Sequence, residues 1–341
     1  MSRRCSHAVS PDVVTLSWSV LIGTLVVLAV CCTALLVATV AVRLSRARRA
    51  RRHDERTAQV KPLVLEVLTA EDEEVAPACE AVAALPDALW PAAETFVLAA
   101  FDSVRGEVRD ALVQVLIARG TLDRALAATQ SRSAVRRARA AEVIGIVGHV
   151  SGRRALVRLL SDPNIEVRTV AARALGQIGD PHLTSILLDS LRPGSDVPPS
   201  VVGTALLGSG ETDTAALEAG LAADDEVVRL TAIAVSAELL VLATARAVAD
   251  RGLTDPSVTV RVQAARALAR LGGAWAVPAL AAATVPTEAS VVRVAATRTL
   301  GEMPFPPARA HLALLRDDDD PDVRRLATAA TPSRETAGGD R

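Results

Sequence analysis

The chain has 341 residues, half of them hydrophobic, with 38 Lys+Arg against 39 Asp+Glu and a formal net charge of −1. This balance excludes a globally basic nucleic-acid binder, and of the four cysteines Cys31 and Cys32 lie within a long uncharged run with Cys5 and Cys79 on opposite sides of it, so no disulfide framework is implied. Three Trp, three Phe and no Tyr leave little aromatic surface for a large flat ligand.

Residues 1–12 form a short N-terminal tail, with Arg3 and Arg4 against Asp12. Residues 13–42 then run for 30 positions without a charge. A helix of that length spans about 45 Å, more than the roughly 30 Å hydrocarbon core of a bilayer. A single transmembrane helix is expected there. Trp18 lies near one end, where interfacial aromatics concentrate. A cleaved signal sequence has an apolar region of about 7–15 residues and a small-residue cleavage site. Here the apolar run is about twice as long, and arginines follow it at once. Cys31 and Cys32 fall inside the span, as small apolar packing residues.

Residues 43–61 are a basic juxtamembrane segment. Arg43, Arg46, Arg48, Arg49, Arg51, Arg52 and Arg56 face only Asp54 and Glu55. The positive-inside rule places this side in the cytoplasm, giving a single-pass protein of the plasma membrane. Each arginine near anionic headgroups contributes about 1 kcal/mol, so lipid contact accounts for the cluster without a nucleic acid. From residue 57 onward 29 basic residues meet 36 acidic ones, −7 overall. Phosphate backbones need the opposite sign. Heavy Ala, Val and Arg use with Lys61 as the sole lysine fits a GC-rich bacterial genome.

From residue 62 to 330 the chain repeats itself about every 31 positions. The clearest copy is Val167 to Gly179, V-R-T-V-A-A-R-A-L-G-Q-I-G. Registered on its arginine, the phrase recurs at Arg137, Arg261 and Arg293, and more weakly at Arg109, Arg229 and Arg324. A degenerate copy lies near Pro199, and another is reached by counting back to Ala78, giving about nine units. In the Arg168 copy, Val167, Ala171, Ala174, Leu175 and Ile178 occupy one face of a helix. A shorter periodic segment, Arg154 to Leu160, precedes it. Each unit is thus two helices. Asp162-Pro163, Asp255-Pro256 and Asp320-Pro321 are expected to cap and open the second helix, and Gly179 and Gly272 to close it.

The phrase D-P-x-x-x-V-R-x-x-A-A-x-A-L-G-x-x-G resembles the HEAT-repeat family in its short bacterial, lyase-type form. Asp162–Gly179 and Asp255–Gly272 match best. The resemblance implies an all-α protein, a right-handed α-solenoid of paired antiparallel helices, here preceded by one transmembrane helix. It implies a concave face lined by second helices and used mostly for protein binding. It also implies a structural ladder, in which the repeated arginine pairs with an acid of an adjacent turn: Asp162, Arg168, Asp255, Arg261, Arg293, Asp320 and Arg324 are its candidates.

Binding is therefore sought on the exposed side of each second helix, at Gln114, Glu142, Arg173, Arg266 and Arg298. No catalytic residue is nominated. His7, His53, His149, His182 and His311 show no metal-ligand spacing. No phosphate loop or nucleophile elbow is present. Asp317 to Asp320 lacks the alternation, central Gly and closing Glu of a calcium loop. The expectation is a non-enzymatic, membrane-anchored scaffold, without cofactor or metal, that binds a protein partner and contacts membrane lipid. The alternative is a chromophore- or cofactor-handling protein, by analogy with bilin lyases. Residues 331–341, polar with Pro332 and Gly338-Gly339, are expected to be disordered.

Overall fold

The computed structural model describes residues 11–70 and 72–331. Most of the expected N-terminal tail, Glu71 and the polar C-terminal residues from Pro332 lie outside them. The described residues contain helices and no strand. In chain order these are α1 Pro11–Thr69, α2 Asp72–Ala83, α3 Trp90–Ala100, α4 Gly106–Ala118, α5 Thr121–Ala128 and α6 Ala134–Val147. Then come α7 Arg153–Leu159, α8 Ile165–Ile178, α9 Thr184–Asp189, α10 Pro199–Gly208, α11 Thr214–Leu221 and α12 Glu226–Glu238. The last six are α13 Ala245–Ala247, continued by a π turn over Val248–Gly252, α14 Val258–Leu271, α15 Val277–Ala282, α16 Ser290–Glu302, α17 Pro306–Leu314 and α18 Pro321–Ala330.

The chain divides inside α4 into residues 1–115 and 116–341. In the first unit α1 is one helix of 59 residues. Its Leu21–Leu44 stretch is apolar, with a mean hydropathy of 2.8 and none of it buried, and is long enough to cross a membrane. Thr24, Thr33 and Thr39 each donate their hydroxyl to the carbonyl three residues back, so these polar groups are satisfied within the helix. The last turns of α1 differ in character. Val60, Val64 and Val67 are buried. They recur at i, i+4 and i+7, one face of a helix, and α2 and α3 pack on α1. Trp90 and Phe101 are buried in this unit as its first core, and Phe96 is half-buried.

Among its described residues the second unit has seven helix pairs, α5/α6 through α17/α18. Each second helix packs on the next: α6 on α8, α8 on α10, and so on to α16 on α18. This is the nearest-neighbour stacking of an α-solenoid, in which no pair could bury its apolar face alone. Leu156, Leu175, Leu187, Leu206, Leu217, Ile233, Leu268 and Leu280 are fully buried between the layers.

Small residues set the spacing of the second helices. A Cβ on Gly176 would lie 2.5 Å from the Ala205 carbonyl oxygen and 2.6 Å from its Cα. One on Gly145 would meet Ala174 Cα at 2.8 Å. Gly145 and Gly176 thus mark backbone contact between consecutive second helices, whereas Gly301 faces only the Ala330 side chain at 3.2 Å.

The helix starts require a correction. Asp162 and Asp255 do not cap their helices. Asn164 caps α8, accepting from the Glu166 and Val167 amides. Ser257 occupies the corresponding place on α14, without a side-chain bond. Only Asp320 caps directly, accepting from Asp322 and Val323 with Pro321 in the first turn. The three Asp-Pro pairs are therefore not equivalent. Asp162 and Asp255 lie six residues before their arginine and Asp320 only four, so the residue equivalent to Asp162 in the last unit is Asp318. Helix ends also differ. Gly179 closes α8 with a left-handed φ of 72°, whereas Gly272 ends α14 in an extended conformation.

Candidate functional site

The repeated arginine does two jobs. It reaches back to the carbonyl six residues earlier: Arg168 Nη1 to Asp162 O at 2.7 Å, Arg229 to Ala223 O at 2.9 Å, Arg261 to Asp255 O at 2.6 Å. It also reaches forward to an acid of the next unit. Arg137 holds Asp162 through two bonds of 2.6 and 2.7 Å. Arg229 holds Asp255 through bonds of 2.7 and 3.0 Å. Arg261 meets Glu288 at 2.9 Å, and Arg293 meets both oxygens of Asp318.

These pairs are mostly shielded from solvent. Side-chain exposure is 14% and 4% for Arg137 and Asp162, and 12% and 7% for Arg229 and Asp255. The Arg137 hydrogen bond holds the Asp162 carboxyl below its ordinary range, against a desolvation that would raise it. The Asp255 bond raises Arg229 in turn. Glu288 is also lowered: burial opposes its charge, but the Ala289 amide and Arg261 together outweigh it.

The chain of pairs has one gap. Helix α10 carries no arginine. Arg168, one unit earlier, reaches the turn before α10 without a shielded acid, ending on the Ser195 carbonyl at 2.6 Å and on the exposed Asp196 at 3.4 Å. Asp320, expected in the ladder, instead accepts from Ser290 Oγ while capping α18, and Arg324 donates to the Asp318 carbonyl. Asp318, Glu288 and Asp196 accept from the repeated arginines in addition to the expected acids. Counting six residues back from Arg324 would have found Asp318; Glu288 and Asp196 lie in turns with no repeated spelling.

The candidate binding residues occupy the opposite, exposed side of the second helices. Gln114 lies on the first-unit part of α4 and is exposed. In the second unit Glu142, Arg173, Arg266 and Arg298 are exposed on α6, α8, α14 and α16. Glu142 is tied to Arg139 at 2.6 Å. Among the described residues no ion pair reaches Arg173, Arg266 or Arg298. The last two stand at equivalent positions on adjacent helices. One turn before them lie Val262 and Val294, and on α12 Leu230, all half-buried against the core. An apolar row across three helices thus borders two unneutralised guanidinium groups.

The remaining candidates fall elsewhere. Arg43 is exposed at the end of the apolar stretch. The side chains of Arg46, Arg48, Arg49, Arg51 and Arg52 lie outside the described residues, as do those of Trp18 and His53. His149 accepts from the Ser151 amide at the turn before α7, and His182 pairs with Asp180 at 2.9 Å. His311 is bonded to Thr284 Oγ1 at 2.8 Å, and burial lowers its pKa. Among the described residues no group of three His, Cys, Asp or Glu side chains is placed to hold a metal.

The family model for HEAT repeats matches residues 122–207 and 245–331, together just over half of the chain. The unmatched interval contains α11 and α12, whose Arg229 nevertheless makes a complete two-bond pair. No curated protein sequence matches the chain. Among solved structures it is similar to human deoxyhypusine hydroxylase in complex with glycerol, at 22% identity over 74% of this chain and 94% of that one, TM-score 0.33. It is also similar to the CpcE–CpcF complex of phycocyanin lyase from a Nostoc species, at 21% identity over 64% and 91%, TM-score 0.28. A third similarity is to the Pds5–Scc1 complex, at 12% identity over 78% and 54%, TM-score 0.36.

Proposed function

The chain belongs to the HEAT-repeat family, and from that premise we propose that it is a membrane-anchored scaffold which holds a protein partner on its second-helix face in the cytoplasm. The observation that carries the binding reading is the patch on α12, α14 and α16. Exposed charges in a folded protein are ordinarily solvated or paired; two adjacent arginines beside an apolar row offer a partner both area and charge. Interfaces favour this combination, with arginine among the enriched residues. The partner segment that fits is amphipathic and acidic.

The anchor reading rests on the Leu21–Leu44 stretch, on its internally bonded threonines, and on the arginines that follow it. In this reading residues 13–42 span the bilayer, 43–61 lie at its cytoplasmic surface and 62–330 form the solenoid. The acid–arginine pairs serve stacking between units.

The test is site-specific photocrosslinking in membranes, with the probe at position 262 or 294 of the full chain. A discrete adduct is expected. Arg266→Glu with Arg298→Glu should remove it while leaving the helical signal unchanged. An adduct that persists through the charge reversal, with the fold intact, refutes this face as the binding site.

A further inference from the structure

The first-helix layer carries a second site, independent of the partner reading. Between α7 and the turn leading into α9 lies an open cavity of about 740 Å³. Its apolar lining is Val157, Leu183 and Ile186, and its polar lining is Arg153, Arg154, Arg158 and His182. The volume falls within the roughly 300–1,000 Å³ typical of small-molecule pockets.

The charges around it are unevenly satisfied. Asp180 serves one edge completely: Arg153 Nη1 reaches one oxygen at 2.6 Å and His182 Nδ1 the other at 2.9 Å. Both Asp180 oxygens are thereby engaged. The His182 hydrogen bond, with those from Arg153 and the His182 amide, holds its carboxyl below the ordinary range against desolvation. Arg154 and Arg158 stand one turn apart on the other edge, exposed, and no acid among the described residues neutralises them. The spacing i, i+4 puts both guanidinium groups on one side of α7. Two free cations over an apolar floor suit a ligand with the complementary division.

The geometry points to a binding site for an anionic amphiphile. Its carboxylate or phosphate lies between Arg154 and Arg158, and its apolar body covers Val157, Leu183 and Ile186. Arginine is suited to this role because its planar fork matches both oxyanions. The ligand chemistry is shared by a free fatty acid or alkyl phosphate and by the headgroup region of an acidic lipid.

A hexyl phosphate bearing a diazirine on its alkyl chain tests this directly. It is applied to the full chain held in phosphatidylcholine nanodiscs, and the labelled residues are mapped by mass spectrometry. Labelling is expected at Val157, Leu183 or Ile186. Arg154→Gln with Arg158→Gln should lower it by about tenfold or more, as the loss of a charge-assisted contact predicts. Arg309→Gln, an exposed charge on α17, should leave it unchanged. A matching uncharged hexanol probe should label at least about tenfold less. Equal labelling by the uncharged probe, retention in the double variant with unchanged circular dichroism, or labelling spread over other helices would each overturn the site. Nanodiscs containing phosphatidylglycerol separate the sources. Suppressed labelling identifies a bilayer headgroup as the occupant, and unchanged labelling identifies a free amphiphile; either result retains the site.

Discussion

Breaking the Arg229–Asp255 pair should loosen the solenoid locally and by a large amount. Asp255 accepts two bonds from Arg229 and one from the Ser257 amide at 2.8 Å. Arg229 also donates to the Ala223 and Asp224 carbonyls at 2.9 and 2.8 Å. Removing one member of a shielded pair leaves the other charged and desolvated, which costs about 3–5 kcal/mol. The 12% exposure of the Arg229 side chain places the expectation for Asp255→Ala at the lower end, about 3 kcal/mol. Hydrogen exchange followed by mass spectrometry reads this as local opening. A change of that size speeds exchange about 150-fold where opening is the limiting equilibrium. Because repeats interact mainly with their neighbours, the acceleration should be confined largely to α11–α14 and spare α5–α8. Arg229→Met with Asp255→Leu removes both charges and should cost less than the two single changes together, with a coupling of about 1–3 kcal/mol. The reasoning fails if each single change accelerates exchange less than about twofold, or if the two effects simply add.

Gly176→Ala forces a methyl into the Ala205 backbone and should destabilise by about 1–3 kcal/mol in denaturant unfolding. Gly203→Ala on α10 meets nothing within 4 Å and should be neutral or stabilise by up to about 1 kcal/mol. Acid should unfold the array in two stages. His311 is held neutral by burial, so the unfolded chain binds its proton more readily; stability present above about pH 6.5 declines as pH falls through that value. His311→Gln should flatten the pH 5–7 portion of a thermal-denaturation profile. Asp162, Asp180, Glu288 and Asp320 are held below their ordinary range, so their contribution is complete above about pH 5 and is lost progressively as pH falls below it. That lower limb should survive His311→Gln. A reporter active only in the cytoplasm, fused at the C-terminus, should give signal; its loss with normal expression would invert the proposed topology.

The period, the helix pairing and the buried apolar faces were legible because each is written many times over. Val167, Ala171, Leu175 and their equivalents carry the same instruction in successive units, and a pattern of that kind survives one defective copy. The turns are written only once each. Asp-Pro looks the same at Asp162 and Asp320, yet the first sits six residues before its arginine and the second four. This two-residue displacement exchanges a carboxylate that bonds the previous unit's Arg137 for one that caps its own helix. Register against the arginine, rather than the dipeptide itself, decides which bond an acid makes.

The same distinction bears on the second-helix face. Arg168 and Arg173 lie five residues apart on one helix and have identical chemistry, but the first is bonded to Asp162 O and Ser195 O while the second faces solvent. Periodicity separates buried from exposed positions, and an exposed charge is neutralised only where a partner lies within reach, on its own helix or on a neighbouring turn. At Glu142 one does, Arg139. At Arg266 and Arg298 none does among the described residues. If the patch binds an acidic segment, Arg266→Gln should weaken the complex mainly at low salt, because an exposed charge is screened within about 10 Å at 0.1 M ionic strength. Val262→Asp should weaken it at every salt concentration, because the apolar row would then oppose the partner's charge and lose contact area. Equal salt dependence for the two variants would show that the arginines and the valine row do not belong to one binding surface.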